Sequence, residues 1–158
     1  MTDSGHFRTV MGNFTTGVTV VTSRGPDGSP CGLTANSVAS VSLDPLLVLV
    51  CLDRAAASHA CIIEGGAFAV SILSGDDEEL ARRFSRGARG DRFEGLETRE
   101  EISGSPILER ALAWLDCRVT EIHDGGDHSI VVGEVLACDA RQGEPLVFFR
   151  GGYHRMRV

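Results

Sequence analysis

Apolar residues recur along this chain with two different periods, and the switches between them mark out its elements. Phe7, Val10, Met11 and Phe14 fall at helical spacing, which predicts an opening amphipathic helix ending between Gly12 and Gly17. The next segment changes period. Gly17 to Ser23 is rich in Val and Thr, Gly25-Pro26-Asp27-Gly28 reads as a turn, and Cys31 to Asn36 resumes an extended pattern, which together predict a hairpin. Asp44-Pro45 marks a turn before Leu46 to Leu52, an apolar run that reads as a fully buried strand. Ser58 is placed to cap a short helix through Ile62 and Ile63 that stops at Gly65-Gly66, and Phe68 to Leu73 reads as another strand.

Farther along, Ser74-Gly75-Asp76-Asp77 has the form of a capping box. The helix behind it has apolar positions at Leu80, Ala81 and Phe84, acids in its first turn, and Arg82, Arg83 and Arg86 in its last. Ser85 to Gly95, rich in Gly and Arg without apolar periodicity, reads as a loop, and Ser105-Pro106 as the opening of a short helix or turn. Ala111 to Ile122 and Ser129 to Cys138 are long strand patterns joined by His123-Asp124-Gly125-Gly126-Asp127-His128, and Leu146 to Phe149 is a last strand. Strands joined mostly by hairpins, with three short peripheral helices, predict a mainly β antiparallel barrel rather than a doubly wound sheet. No Gly-x-Gly-x-x-Gly follows a strand, so a Rossmann nucleotide site is not supported. With 158 residues and no repeat or linker, the expectation is one domain over 1–158.

Composition narrows the function classes. A net charge of −7 argues against a nucleic-acid partner, which needs a concentrated basic face. Met1 to His6 lacks the basic start and apolar run of a secretory signal, and no apolar stretch approaches the ~18 residues of a membrane span, so no membrane partner and a cytoplasmic location are expected. Cys31, Cys51, Cys61, Cys117 and Cys138 show no Cys-x-x-Cys spacing. They read as reduced core residues rather than a disulfide framework or a zinc site, and no metal is expected.

The candidate chemistry begins at Gly32. Thr34, Asn36, Ser37, Ser40 and Ser42, interleaved with Ala35 and Val41 and just before the apolar strand, suit a semi-buried wall that hydrogen-bonds a flat polar ligand. The alternative is that they satisfy a barrel rim and a tight turn. From Cys51-Leu52-Asp53-Arg54-Ala55 to Ser58-His59 the chain leaves a strand and enters a helix, where backbone N–H groups and Ser58 can meet a phosphate. Asp53 opposes this unless it points away or pairs with Arg54. Phe84, Ser85, Arg89, Arg92 and Phe93 form a second candidate patch for that anion, or else a solvated basic loop. His128 follows a turn that can aim it, and Asp127 can orient its imidazole. Phe149, Arg150, Gly151 and Tyr153 would suit a stacking surface or a plain terminal strand. There is no Gly-x-Ser-x-Gly elbow, and no Ser or Cys has a readable His partner.

Phe14-Thr15-Thr16-Gly17-Val18-Thr19-Val20-Val21-Thr22, then Thr34-Ala35-Asn36-Ser37, then Gly126-Asp127-His128 with Gly133-Glu134-Val135 occur in an order that resembles the short-chain flavin reductases. These small proteins feed reduced flavin to two-component monooxygenases, and the resemblance runs from about Phe7 to about Met156. It implies a Greek-key, flavin-binding split barrel, usually a homodimer with the flavin near the subunit interface. It also implies that Thr34 to Ser37 meet the flavin, that the turn from Cys51 to His59 meets its phosphate, and that His128 sits beside the nicotinamide as the candidate catalytic residue. Tyr153 falls on the family's tyrosine position, in a segment lining the nicotinamide side. The implied activity is NADH-dependent reduction of FAD, with FMN as the other acceptor, for a separate monooxygenase. Two other readings stand beside it: a non-catalytic flavin-binding module of the same barrel, and an oxidase of a pyridoxine-like substrate, whose Arg and His pattern has no counterpart here.

Overall fold

The computed structural model describes residues 2–86 and 89–157, with only the backbone at 89 and 90. Helix α1 (Ser4–Met11) starts at Asp3, whose carboxylate accepts the His6 N–H at 2.7 Å. Strands β1 (Thr16–Gly17), β2 (Thr19–Arg24), β3 (Pro30–Ala35), β4 (Val38–Leu43) and β5 (Leu46–Asp53) follow. Then come α2 (His59–Gly65), β6 (Ala67–Ile72), α3 (Glu78–Ser85) and a 3₁₀ turn (Arg89–Phe93). The chain ends with β7 (Thr98–Arg99), β8 (Ile107–Leu108), β9 (Ala113–Gly125), β10 (His128–Ala140), β11 (Leu146–Phe149) and β12 (Gly152–Arg155). The fold is mainly β, as the patterning predicts.

Seven strands form one antiparallel sheet in the order β3-β2-β6-β9-β10-β5-β4, beside the smaller sheets β1-β11-β12 and β7-β8. Its two edge strands, β3 and β4, are consecutive in the chain and joined only by Asn36-Ser37. A flat sheet of this order would hold its edges apart by six strand spacings, ~29 Å at ~4.8 Å each. Three peptide steps reach only ~11 Å. The sheet therefore curls until its edges approach, and β3 touches β5. The result is an open barrel whose seam carries the Asn36-Ser37 link.

Val21, Leu33, Val50, Leu52, Phe68, Val70 and Val131 fill the interior. A second cluster, with Val18, Val20, Leu73, Leu80, Phe84 and Leu146, packs α3 and the small sheet against the outer face of β2. Strand β2 is thus buried on both faces, since its successive side chains point opposite ways. The long hairpin β9–β10 turns at Gly126-Asp127, where Gly126 takes φ 75. It bends at irregularities beside Gly133, where a Cβ would lie 2.6 Å from the Phe68 ring.

Several expectations need correction. Strand β5 is not fully buried: Val48, Val50 and Leu52 face the core, Leu46 is exposed, and Leu47, Leu49 and Cys51 are half-buried, because among the described residues nothing fully covers their face. Ser105-Pro106 opens no helix. It leads into β8 while Ser103 ties the segment down, with its N–H to Asp116 at 2.8 Å and its hydroxyl to Ser105 at 2.9 Å. The stretch 85–95 is not wholly loop, since it holds the 3₁₀ turn. Helix α2 ends at Gly66 with φ 68 as expected, but Ser58 does not cap its start. Before α3, Asp77 accepts the Ser74 N–H at 2.9 Å and its hydroxyl at 2.7 Å, one half of a capping box.

The cysteines depart furthest from expectation. Cys31 of β3 and Cys61 of α2 form a disulfide across a Cα–Cα distance of 6.5 Å, both buried. They are 30 residues apart, and only the packing of α2 against the barrel brings them together. Cys138 is exposed on β10 rather than in the core. Cys117 is buried, which pushes its thiol up to about 12, with Asp116 and Cys138 adding to the effect.

Candidate functional site

A cavity of about 390 Å³ opens at the barrel seam. Strand β3 and the link contribute Thr34, Ala35, Asn36 and Ser37; β5 contributes Cys51 and Asp53. The turn beyond β5 adds Ala55, and the far wall is Phe84 and Ser85 of α3 with Arg92 of the 3₁₀ turn. His128 completes the lining. It arrives through strand register, since β10 pairs with β5 so that His128 stands opposite Asp53. A slip of one residue would turn it to the other face.

Backbone tethers fix the seam. The Ser37 hydroxyl donates to the Cys51 carbonyl at 2.9 Å, and the Cys51 N–H donates to the Ser37 carbonyl at 3.0 Å. Thr34 turns its hydroxyl to the Ala81 carbonyl at 2.6 Å, which joins the seam to α3. Asn36 is exposed and lines this cavity and both of its neighbours. One neighbour is a recess of about 140 Å³ reaching Val18, Phe148 and Tyr153. The other is an apolar groove of about 740 Å³ between Phe7, Met11 and Phe14 near the start of the chain and Val38, Leu49 and Ile72 of the barrel.

Charge in the cavity is sparse and tethered. Asp53 accepts the Ala55 N–H at 2.8 Å, while Arg54 turns away to Asp124 at 2.7 Å and to the His128 carbonyl at 3.2 Å. The N–H groups of Arg54, Ala56 and His59 also serve carbonyls of the chain, so this turn offers fewer donors than its sequence promises. Arg92 is buried, and burial lowers its pKa. His128 Nδ1 lies 2.7 Å from the Asp127 carboxylate. That bond, then the imidazole's charge, holds Asp127 below the usual carboxylate range, with Arg8 adding to it.

Other expected site residues lie elsewhere. Leu52 is wholly within the core, and Ser40, Val41 and Ser42 on β4 line none of these three cavities. Ser58 is buried behind the wall. His59 bonds the Ser129 hydroxyl at 2.9 Å, and Phe93 stacks edge-on against Phe84 at 5.1 Å. Arg150 and Gly151 border a separate recess, where Arg150, at φ 47, bonds Asn13 at 2.7 Å. Phe149 lies under that guanidinium, 5.0 Å from its centroid. Arg89 carries no described side chain, so its role as a binding residue lies outside the described residues. Tyr153 stacks on Phe148 at 5.4 Å, with the Arg82 guanidinium 5.0 Å from its ring.

Residue types do not single out Leu33 in the main cavity, the side chains of Ala56 and Ala57 within the turn from Cys51 to His59, or the apolar face of α1 beside the groove. The small apolar residues carry no chemical signal, whereas the helical spacing of Phe7, Met11 and Phe14 was visible without a partner to assign. Among the described lining residues Cys51 is the one thiol, and burial raises its pKa, which disfavours its thiolate. The arrangement is suited to hold and orient a flat polar molecule between Asn36, Phe84 and His128.

Residues 11–157 match the family model described as a flavin reductase like domain. An NADH-dependent FMN reductase of Agrobacterium fabrum is 44% identical over 153 residues, covering 97% of this chain and 86% of that protein. The reductase subunit of a flavin-dependent monooxygenase from Rhodococcus jostii is 42% identical, covering 96% of this chain and 77% of that one. The NADH:FAD oxidoreductase of Streptomyces globisporus, solved in complex with NAD and FAD fragments, superposes with a TM-score of 0.91 at 39% identity, covering 98% of this chain and 93% of that chain. This chain belongs to the flavin reductase-like family.

Proposed function

We propose that the protein is an NADH-dependent flavin reductase that reduces FAD or FMN and releases the reduced flavin to a separate flavin-dependent monooxygenase. The observation that carries this reading is the meeting of the Thr34 to Ser37 segment, Phe84, Arg92 and His128 around one cavity. The relatives' names support the activity, the nicotinamide donor and the monooxygenase partner.

The residues present fit a flavin. Its ring system needs polar partners along one edge and apolar contact on its faces, and the seam supplies Asn36 and Ser37 beside Ala35 and Phe84. Flavin and nicotinamide exchange the hydride between themselves, so the chain's own work is proximity and orientation. In this reading Arg92 supplies the fixed positive charge for the flavin phosphate, and His128, braced by Asp127, positions the nicotinamide. Thr34 acts through its bond to Ala81, keeping α3 and its Phe84 against the seam.

The chain acts as one domain over 1–158 and as a homodimer. The apolar groove and exposed residues such as Phe14 (71% exposed) and Leu43 (88% exposed) support a partner subunit that covers them. Dependence on NADH and free flavin supports a cytoplasmic location. Among the described residues no helix is long and apolar enough to cross a membrane. Cys31 and Cys61, which carry the disulfide, are both buried.

The deciding assay follows NADH oxidation by absorbance with FAD and FMN added in turn, and NADPH as the control donor. Flavin-dependent NADH turnover is the expected result. Tight flavin binding without turnover under any pairing would overturn it in favour of a binding module.

A further inference from the structure

Behind the cavity wall lies a small buried polar knot, of which the proposed function uses Arg92 alone. Its centre is the Gly32 carbonyl, which accepts the Ser58 hydroxyl at 2.8 Å and Arg92 Nη1 at 2.6 Å. Arg92 Nη1 also lies 3.3 Å from the Ser58 oxygen. Three separate segments meet there: β3, the start of α2 and the 3₁₀ turn. Ser58 is 0% exposed and does not line the cavity, whereas Arg92 does.

Each member of the knot is held from outside. A Cβ on Gly32 would lie 3.0 Å from Phe84, from Thr22 and from the Val21 carbonyl, so a glycine lets the chain run this close to its neighbours, and pairing opposite Thr22 in the sheet holds the backbone that aims the carbonyl. Cys31, the residue before it, is bonded to Cys61, one helical turn beyond Ser58, which fixes α2 against β3. Phe93, next to Arg92, packs edge-on against Phe84. A long, flexible Arg side chain thereby loses its freedom before any ligand arrives, and an ordered guanidinium binds a phosphate more tightly than a mobile one.

We propose that Ser58 is a positioning residue: through the Gly32 carbonyl it holds the Arg92 guanidinium at the cavity wall, where Arg92 meets the phosphate of the bound flavin nucleotide. Ser58 itself touches no ligand. This rests on the flavin reading of the cavity and assigns the anion-binding task to a clasp rather than to the open turn before α2.

Riboflavin and FMN separate the possibilities, because they share the ring system and differ by the phosphate. Dissociation constants from flavin fluorescence, with KM values in the NADH assay, are measured for the full chain and for Ser58→Ala, Arg92→Gln and the double variant. Loss of Ser58 should weaken FMN about fivefold, and Arg92→Gln should weaken it on the order of tenfold or more. Riboflavin should be unchanged, and the double variant should match Arg92→Gln alone. Equal weakening of FMN and riboflavin by Ser58→Ala would make Ser58 merely structural and overturn the proposal. So would a silent Ser58→Ala beside a phosphate-selective Arg92→Gln, which would leave the flavin reading intact. An Arg92→Gln variant that does not distinguish the two ligands would remove Arg92 from the phosphate and overturn the proposal at its base. Binding of neither flavin to the unaltered protein would instead sink the reading of the cavity itself. Ser58→Cys, close in volume but a poor donor, repeats the comparison should Ser58→Ala not fold.

Discussion

His128 reaches the cavity through register and is braced from the side by Asp127, so its removal should cost orientation of one ligand only. His128→Ala is expected to raise the KM for NADH roughly five- to tenfold, while flavin affinity stays within about threefold. Equal loss of both, read from steady-state kinetics and flavin titration, would mean that His128 shapes the end of the hairpin instead. At this scale the sequence was informative where chemistry is local. A hydroxyl and amide segment before an apolar strand, and a histidine after a tight turn, were visible from residue types alone. Ser58 was legible as a polar group but not in its direction, because a serine before a helix reads as a cap whether or not a distant carbonyl claims its hydroxyl. Here Gly32, twenty-six residues away, claims it.

Elements were read well wherever period and punctuation agreed, and less well where neighbours decide. Strand β5 looked fully buried because its sequence is uniformly apolar, yet only the side chains on its inner face are enclosed. The Cys31–Cys61 link was missed for the same reason: spacing says nothing about α2 folding back onto β3. Closing a loop of 30 residues should contribute roughly 3 to 4 kcal/mol to stability. Melting the protein with and without a dithiol reductant should show a drop on the order of 10 °C on reduction. Identical melting curves, with the thiols shown by alkylation to be free, would remove the disulfide from the stability of the fold. So short a helical segment leaves no apolar period, and the 3₁₀ turn therefore looks like loop in the sequence, but its Phe93 and Arg92 anchor the cavity's far wall.

Across the whole molecule, what the chain alone leaves open is its apolar outer surface. Val41, Leu43 and Leu46 at the β4–β5 turn are exposed, as are Phe7, Met11 and Phe14. Light scattering should give a dimer for the unaltered protein, and Leu43→Glu should shift it toward monomer and weaken flavin binding several-fold. A monomer at every concentration tested would remove the partner subunit. Barrel topology was legible only as a class, since strand order depends on pairings far apart in the chain. That order has a consequence for the ligand. Because β3 and β4 are the two edges of one sheet and are linked through Asn36-Ser37, a flat molecule in the cavity lies across the seam between β3, that link and β5, as caulking lies between two staves of a cask. A ligand held by residues that only folding brings together stabilises the folded chain by mass action.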